Sequence, residues 1–321
     1  MTKHGRDLFG EFLSVAEDEL EFELTAFPLL TSESFLLNPR RLRGSDFLMR
    51  WSQGVWSEER VIEAVSASKD YYAVPYGPSG TAPTESVREF ELYFERLDAA
   101  GLAGIKRPDI LVFRRREEDD VKQIVDSLGG LSELPFHPED EDLMAAMIDR
   151  AILAVECENS LWRAQKMPGF GQALRPMQRL GGRVGLPKGA VVPTVILKEE
   201  DRLPLRDWQN WAGTPIHLWH VFYDLAYGIP LARIEELVGE GLIQGTEQVY
   251  QAPGGATTQK LIFKIYYHYA YELGMSTEEP RLQPDVVEDA NGHILPYVKF
   301  EGGALRLSDE ALGVLSELAK E

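Results

Sequence analysis

Two apolar runs constrain this chain more than any other feature. RPDILVF (107–113) and AILAVECENS (151–160) have the aliphatic content of buried strands, yet the first carries Asp109 and the second carries Glu156 and Glu158. A carboxylate inside an apolar strand is costly unless something cationic holds it. Residues two apart on a strand point to the same side, so Glu156 and Glu158 share one face. Leu153, Val155 and Cys157 take the other, apolar face. If the two strands pair, Asp109 meets both glutamates at one sheet edge. Three clustered carboxylates repel and are driven to protonate unless a cation lies among them. Oxygen-only ligands suit Mg²⁺, with Mn²⁺ as a substitute.

The charge distribution points to a polyanionic partner. A net charge of −19, spread evenly, would argue against nucleic acid. The spread is far from even. From Glu117 to Asp142 there are ten acids and one lysine. From Asn159 to Lys198, 40 residues contain no acid and carry Arg163, Lys166, Arg175, Arg179, Arg183, Lys188 and Lys198. That window begins directly after the paired glutamates. A second basic knot, NPRRLRGS, holds Arg40, Arg41 and Arg43. Such side chains hold phosphates, and the turn QAPGGATTQK offers Gln259 and Lys260 to base edges.

Several classes are excluded or disfavoured. Cys157 is the only cysteine, which rules out intrachain disulfides and a multi-thiolate zinc site and suggests a reducing, cytoplasmic setting. No run of about 18 apolar residues predicts a membrane span, and the acidic first 30 residues do not read as a signal peptide. GFGQALRPMQRLGGRVG (169–185) lacks both phosphate-loop patterns, so no nucleotide cofactor is expected. His217 and His220 flank Trp219; three apart on a strand, they face opposite ways and read as core histidines.

The periodicity predicts helices and loops over residues 1–80. A helix follows from Ser86, with a capping box to Glu89 and an apolar face of Val87, Phe90, Phe94 and Leu97. Strands are expected at 108–113, 151–158, 190–197 and 215–226, with the acidic stretch 117–142 as a surface excursion into a helix at 141–150. PLARIEELVGEG reads as a helix, KLIFKIYYHYAYEL as either strand or helix, and Ser308 as the start of a final helix. Alternating strands and helices place the middle of the chain in the α/β class.

An aspartate at one strand followed by Glu-x-Lys or Glu-x-Glu on the next resembles the PD-(D/E)xK nuclease superfamily. NPRRLRGSDFLMRWSQGVWSEERV, RPDILVF, VECENSLWRAQKMP and HILPYVKFEGG are similar, more narrowly, to the AccI-like type II restriction endonucleases. The resemblance implies a restriction-endonuclease-like core, a central mixed β-sheet flanked by helices, with helical N-terminal and mixed C-terminal additions. It divides the chain into a helical region (1–83), a catalytic core (84–240) with the acidic insertion 117–142, and a C-terminal region (241–321) for recognition or dimerisation. The implied activity is Mg²⁺-dependent, site-specific cleavage of double-stranded DNA by a homodimer in a restriction–modification system. Asp109, Glu156 and Glu158 are the implied catalytic and metal-binding residues, and an acid on the helix before the first strand, best matched by Glu91, is a further ligand. Most members place lysine third; Glu158 stands there instead, which leaves the general base open. Lys166 is a phosphate clamp or the source of the missing positive charge. Two other readings stay open: a non-catalytic DNA-binding or assembly protein whose carboxylates pair with arginines, and a two-carboxylate sugar hydrolase.

Overall fold

The computed structural model describes residues 45–83, 87–102, 104–251, 257–288 and 292–320. Arg40, Arg41, Arg43 and Ser86 lie outside the described residues. Helix α1 (Ser45–Ser66) leads into strand β1 (Tyr71–Pro75), a single turn α2 (Pro78–Thr81) and helix α3 (Val87–Ala99). Strand β2 (Ile110–Arg114), helices α4 (Glu118–Ser127) and α5 (Asp142–Ile148), and strand β3 (Leu153–Asn159) follow. A short hairpin, β4 (Arg175–Pro176) with β5 (Val184–Gly185), precedes β6 (Thr194–Lys198) and α6 (Glu199–Ala212). Next come β7 (Ile216–Val221), β8 (Leu225–Pro230) and α7 (Leu231–Gly239). The remainder is β9 (Gly245–Gln251), β10 (Thr257–Tyr266), β11 (Tyr271–Ser276), β12 (Arg281–Glu288), β13 (Ile294–Glu301), β14 (Leu305–Leu307) and α8 (Asp309–Leu318).

The chain is an α/β protein built on one large mixed sheet, ordered β1-β2-β3-β7-β8-β11-β14. Strands β3 and β7 run parallel, and the crossover between them contains α6. The other neighbouring pairs are antiparallel. Helices cover both faces. Leu111, Phe113, Ala154 and Leu218 pack one way, against α4 to α7 through Val121, Met144, Leu205 and Ile234. Ile110, Val112, Leu153, Val155 and Trp219 pack the other way, against Val61 and Val65 of α1 and Leu315 of α8. Burial on both faces is why these strands read as nearly continuous apolar runs. A three-stranded sheet β6-β10-β9 lies beside this layer, and β12 and β13 form a separate ribbon whose Leu295 and Tyr297 pack on Leu48 and Trp51 of α1. Among the described residues, no helix is long and apolar enough to cross a membrane.

Four expectations need revision. Residues 71–75, read as part of a helix-and-loop region, form β1; a five-residue strand ending on Pro75 and pairing only with β2 leaves little periodic signal. The run 215–226 is two antiparallel strands joined by a tight turn that the Phe222 N–H closes on Leu225 O at 2.7 Å; Asp224 in that turn accepts the N–H groups of Ala164 (2.6 Å) and Gln165 (3.1 Å). KLIFKIYYHYAYEL likewise divides, between β10 of the small sheet and β11 of the large one. The acidic stretch 117–142 is more than a surface excursion: Val121, Val125, Leu128 and Leu134 enter the main core, and Glu139 turns inward to accept from Trp208 Nε1 at 2.7 Å. The final helix starts where the sequence places it, with Ser308 Oγ accepting the Ala311 N–H at 3.0 Å. Ser308→Ala should therefore lower stability by about 1 kcal/mol in urea denaturation, the usual contribution of such a cap; an unchanged midpoint would contradict the cap.

Candidate functional site

The site begins where β2 starts. Pro108 has no N–H, so the ladder to β3 opens at Asp109, whose own N–H donates to Val155 O at 2.8 Å. Its carbonyl accepts the N–H groups of Tyr76 (2.7 Å) and Gly77 (3.1 Å). A Cβ on Gly77 would stand 2.7 Å from Pro108 O, so only glycine permits this approach. The Asp109 side chain then turns back to β3, and its Oδ2 accepts the Cys157 N–H at 2.7 Å. The residues flanking that amide are the two glutamates.

Glu156 is 4% exposed and ion-paired through Oε1 with Lys106. Its Oε2 is buried with no hydrogen-bond partner. Glu158 Oε1 accepts from Lys198 Nζ at 2.6 Å. Asp201, in the first turn of α6, lies between the two lysines: its Oδ1 is 3.6 Å from Lys106 Nζ and its Oδ2 3.7 Å from Lys198 Nζ. Ligand oxygens of Glu156, Glu158 and Asp201 all lie within 4.8 Å of one another.

Crowding decides the protonation of this group. Burial raises the Glu156 carboxyl well above the usual range, the Asp109 charge raises it further, and Lys106 only partly counters. Glu58 of α1 is raised well above its ordinary value by burial and then by the charges of Asp109 and Glu156. Asp109 is raised by burial, against the pull of Lys106 and the Cys157 N–H. Burial works against the Lys106 ammonium, yet Glu156, Asp109 and Asp201 outweigh it and raise its pKa. Lys198 is raised in the same way, chiefly by Glu158. The five acids thus outnumber their two cations. An all-oxygen donor set with a buried, unpartnered oxygen fits a hard divalent cation.

Glu156 and Glu158 come together as the strand periodicity predicts, with Leu153, Val155 and Cys157 on the opposite face. Asp109 adjoins them, but its Oδ2 is taken by backbone, and Asp201 rather than Asp109 completes the close set of three. Glu91 is buried on α3, outside that set. The helix preceding the first strand is α1, and the acid it brings to the site is Glu58; the assignment to Glu91 follows from missing β1. Lys166 is exposed, and its charge acts on Glu279. Arg163 pairs with Glu279 and stacks at 4.7 Å on Tyr223. Arg175, Arg179, Arg183 and Lys188 lie exposed on and around the β4–β5 hairpin. There Arg179 donates to Leu186 O (2.7 Å) and Arg183 to Leu180 O (3.0 Å). Gln259 is exposed on β10, and Lys260 pairs with Glu200 at 2.5 Å.

No sequence pattern points to Lys106, Asp201 or Glu58 as site residues, and Lys198 stands out only as the last cation of the acid-free window. Asp201 sits in Glu199-Glu200-Asp201, which reads as ordinary acids in a helical first turn. Lys106 offers only its place three residues before Asp109.

Fold and site together define an α/β protein with a buried carboxylate–lysine cluster where two central strands meet. No family model, no curated protein and no solved structure matches the chain.

The histidines on β7 are core residues on opposite faces, as the spacing predicts. His217 Nδ1 meets Tyr271 OH at 3.0 Å, and burial pulls its pKa down from 6.5 to about 4. A lowered pKa means the fold holds the ring neutral. This contribution is complete above pH 6.5 and is lost as pH falls toward 4. The stability gap between wild type and His217→Gln should therefore narrow by about 2 kcal/mol between pH 7.5 and 5, by chemical denaturation. A gap independent of pH would contradict a buried neutral ring.

Proposed function

We propose that the protein is a Mg²⁺-dependent, site-specific endonuclease of double-stranded DNA, acting as a homodimer within a restriction–modification system. One observation carries the reading: Glu156 Oε2 is buried and unpartnered inside a set of three carboxylates. Glu156, Glu158 and Asp201 would hold the cation, with Glu58 and Asp109 adding negative charge around it. The metal, when bound, supplies an activated water and neutralises charge on the phosphodiester. The side chains do the rest. Asp109 fixes the direction of β3 and so the spacing of both glutamates. Lys198, 2.6 Å from Glu158, brings positive charge through space to the position where the resembled enzymes usually have lysine. The segment after β3 presents Trp162, 56% exposed, beside Arg163 and Lys166, a stacking and phosphate-binding pairing suited to nucleic acid.

The non-catalytic reading also has a specific observation behind it. Both glutamates already have cationic partners, although these are lysines rather than arginines. One experiment separates the two. Plasmid DNAs of varied sequence, incubated with the protein and Mg²⁺, should give discrete fragments that disappear with EDTA and with Glu156→Gln. Intact DNA with Mg²⁺ and with Mn²⁺, together with no Mg²⁺-linked rise in Tm, would favour a purely structural ion-pair cluster.

A further inference from the structure

Glu156, Lys106, Asp201, Lys198 and Glu158 form a chain of alternating charge. Its two lysines are not equivalent. Lys106 lies on Oε1 of Glu156 and 3.6 Å from Asp201 Oδ1, and it leaves the buried Oε2 of Glu156 open to a cation. Lys198 lies on Glu158 Oε1 and 3.7 Å from Asp201 Oδ2, and Glu158 has no buried unpartnered oxygen like Oε2 of Glu156 among the described residues. It is also the more exposed of the two, at 32% against 25%, and it stands at the end of β6, in the smaller sheet, where α6 begins.

A second unexplained group lies next to it. His220 is 1% exposed, and neither ring nitrogen has a hydrogen-bond partner. A buried polar group without a partner is costly and needs a reason. His220 is the register partner of Glu158 on parallel β7, so the two side chains leave the sheet on the same face. Burial and the Lys198 charge keep the ring neutral. A neutral imidazole has one acceptor nitrogen, and an ammonium has three donors.

We propose that Lys198 is a resting counterion which a divalent cation displaces from Glu158, and that His220 accepts a hydrogen bond from the displaced ammonium. This rests on the metal-site reading above. Lys106 stays on Glu156 throughout. The resting protein thereby avoids a buried carboxylate set without a counterion, and the ammonium remains beside the site after the cation enters.

Mg²⁺ titrated calorimetrically into the full chain tests the displacement. Lys198→Met should bind Mg²⁺ about tenfold more tightly than wild type, roughly the worth of one charge-assisted hydrogen bond. Lys198→Gln should do the same, which guards against a folding defect in one variant. Lys106→Met should bind no more tightly than wild type. The ring ¹⁵N signals of His220 give a readout independent of activity: saturating Mg²⁺ should shift one of them in wild type and leave it unmoved in Lys198→Met. Equal affinity in wild type and both Lys198 variants would overturn the displacement while leaving the metal site intact. A His220 signal unmoved in wild type would overturn the hand-off. No Mg²⁺ binding by any of the proteins would overturn this proposal together with the metal site beneath it.

Discussion

The hydrogen bond from the Cys157 N–H to Asp109 Oδ2 is the constraint on which the site depends. It fastens the start of β2 to the middle of the second half of β3, at the amide between the two glutamates. Together with the Asp109 N–H to Val155 O bond, it leaves β3 no freedom to slip. A slip of one residue would send Glu156 and Glu158 into the apolar layer that now holds Leu153, Val155 and Cys157. Backbone pairing therefore sets the direction of both carboxylates. The packing of α6 and the loop before Pro108 then brings Asp201, Lys198 and Lys106 to them.

Electrostatics explains why such a group differs from an ordinary core. Burial raises Glu58, Asp109 and Glu156; the charges of Asp109 and Glu156 raise Glu58 further, Asp109 raises Glu156, Glu158 raises Asp109, and Lys106 and Lys198 only partly offset this. A chain selected for stability alone would place apolar side chains there, because paired buried charges seldom outperform good packing. The excess of acid over base is what a divalent cation would neutralise. The same logic resolves the overall charge of −19. Asp119, Asp120 and Asp126 lie exposed on α4, while Lys166, Arg175, Arg179, Arg183 and Lys188 of the acid-free window lie exposed and Lys198 turns in to Glu158.

Much of this was legible in the sequence. Strands β2 and β3 declare themselves by their apolar runs, and period two alone places Glu156 and Glu158 on one face. The Ser308 cap was likewise written locally. What stayed hidden depends on long-range contact. Strand β1 is too short for periodicity to mark it, and without it the helix that borders the site cannot be identified, so the sequence favours Glu91 over Glu58. Lys198 was visible only as the last cation of a basic window, and Asp201 only as one of three acids opening a helix. Their meeting with β3 is a property of the β3–α6–β7 crossover. Asp109 shows the opposite case: its position was anticipated, but the backbone bond it makes requires the register, which no local pattern states.

The most direct test of the central claim is anomalous diffraction at the manganese edge, from crystals grown with Mn²⁺. The account predicts a single strong peak within coordination distance of Glu156, Glu158 and Asp201, with Lys198 Nζ moved off Glu158. An empty site at saturating Mn²⁺, with both lysines still seated on their glutamates, would contradict it.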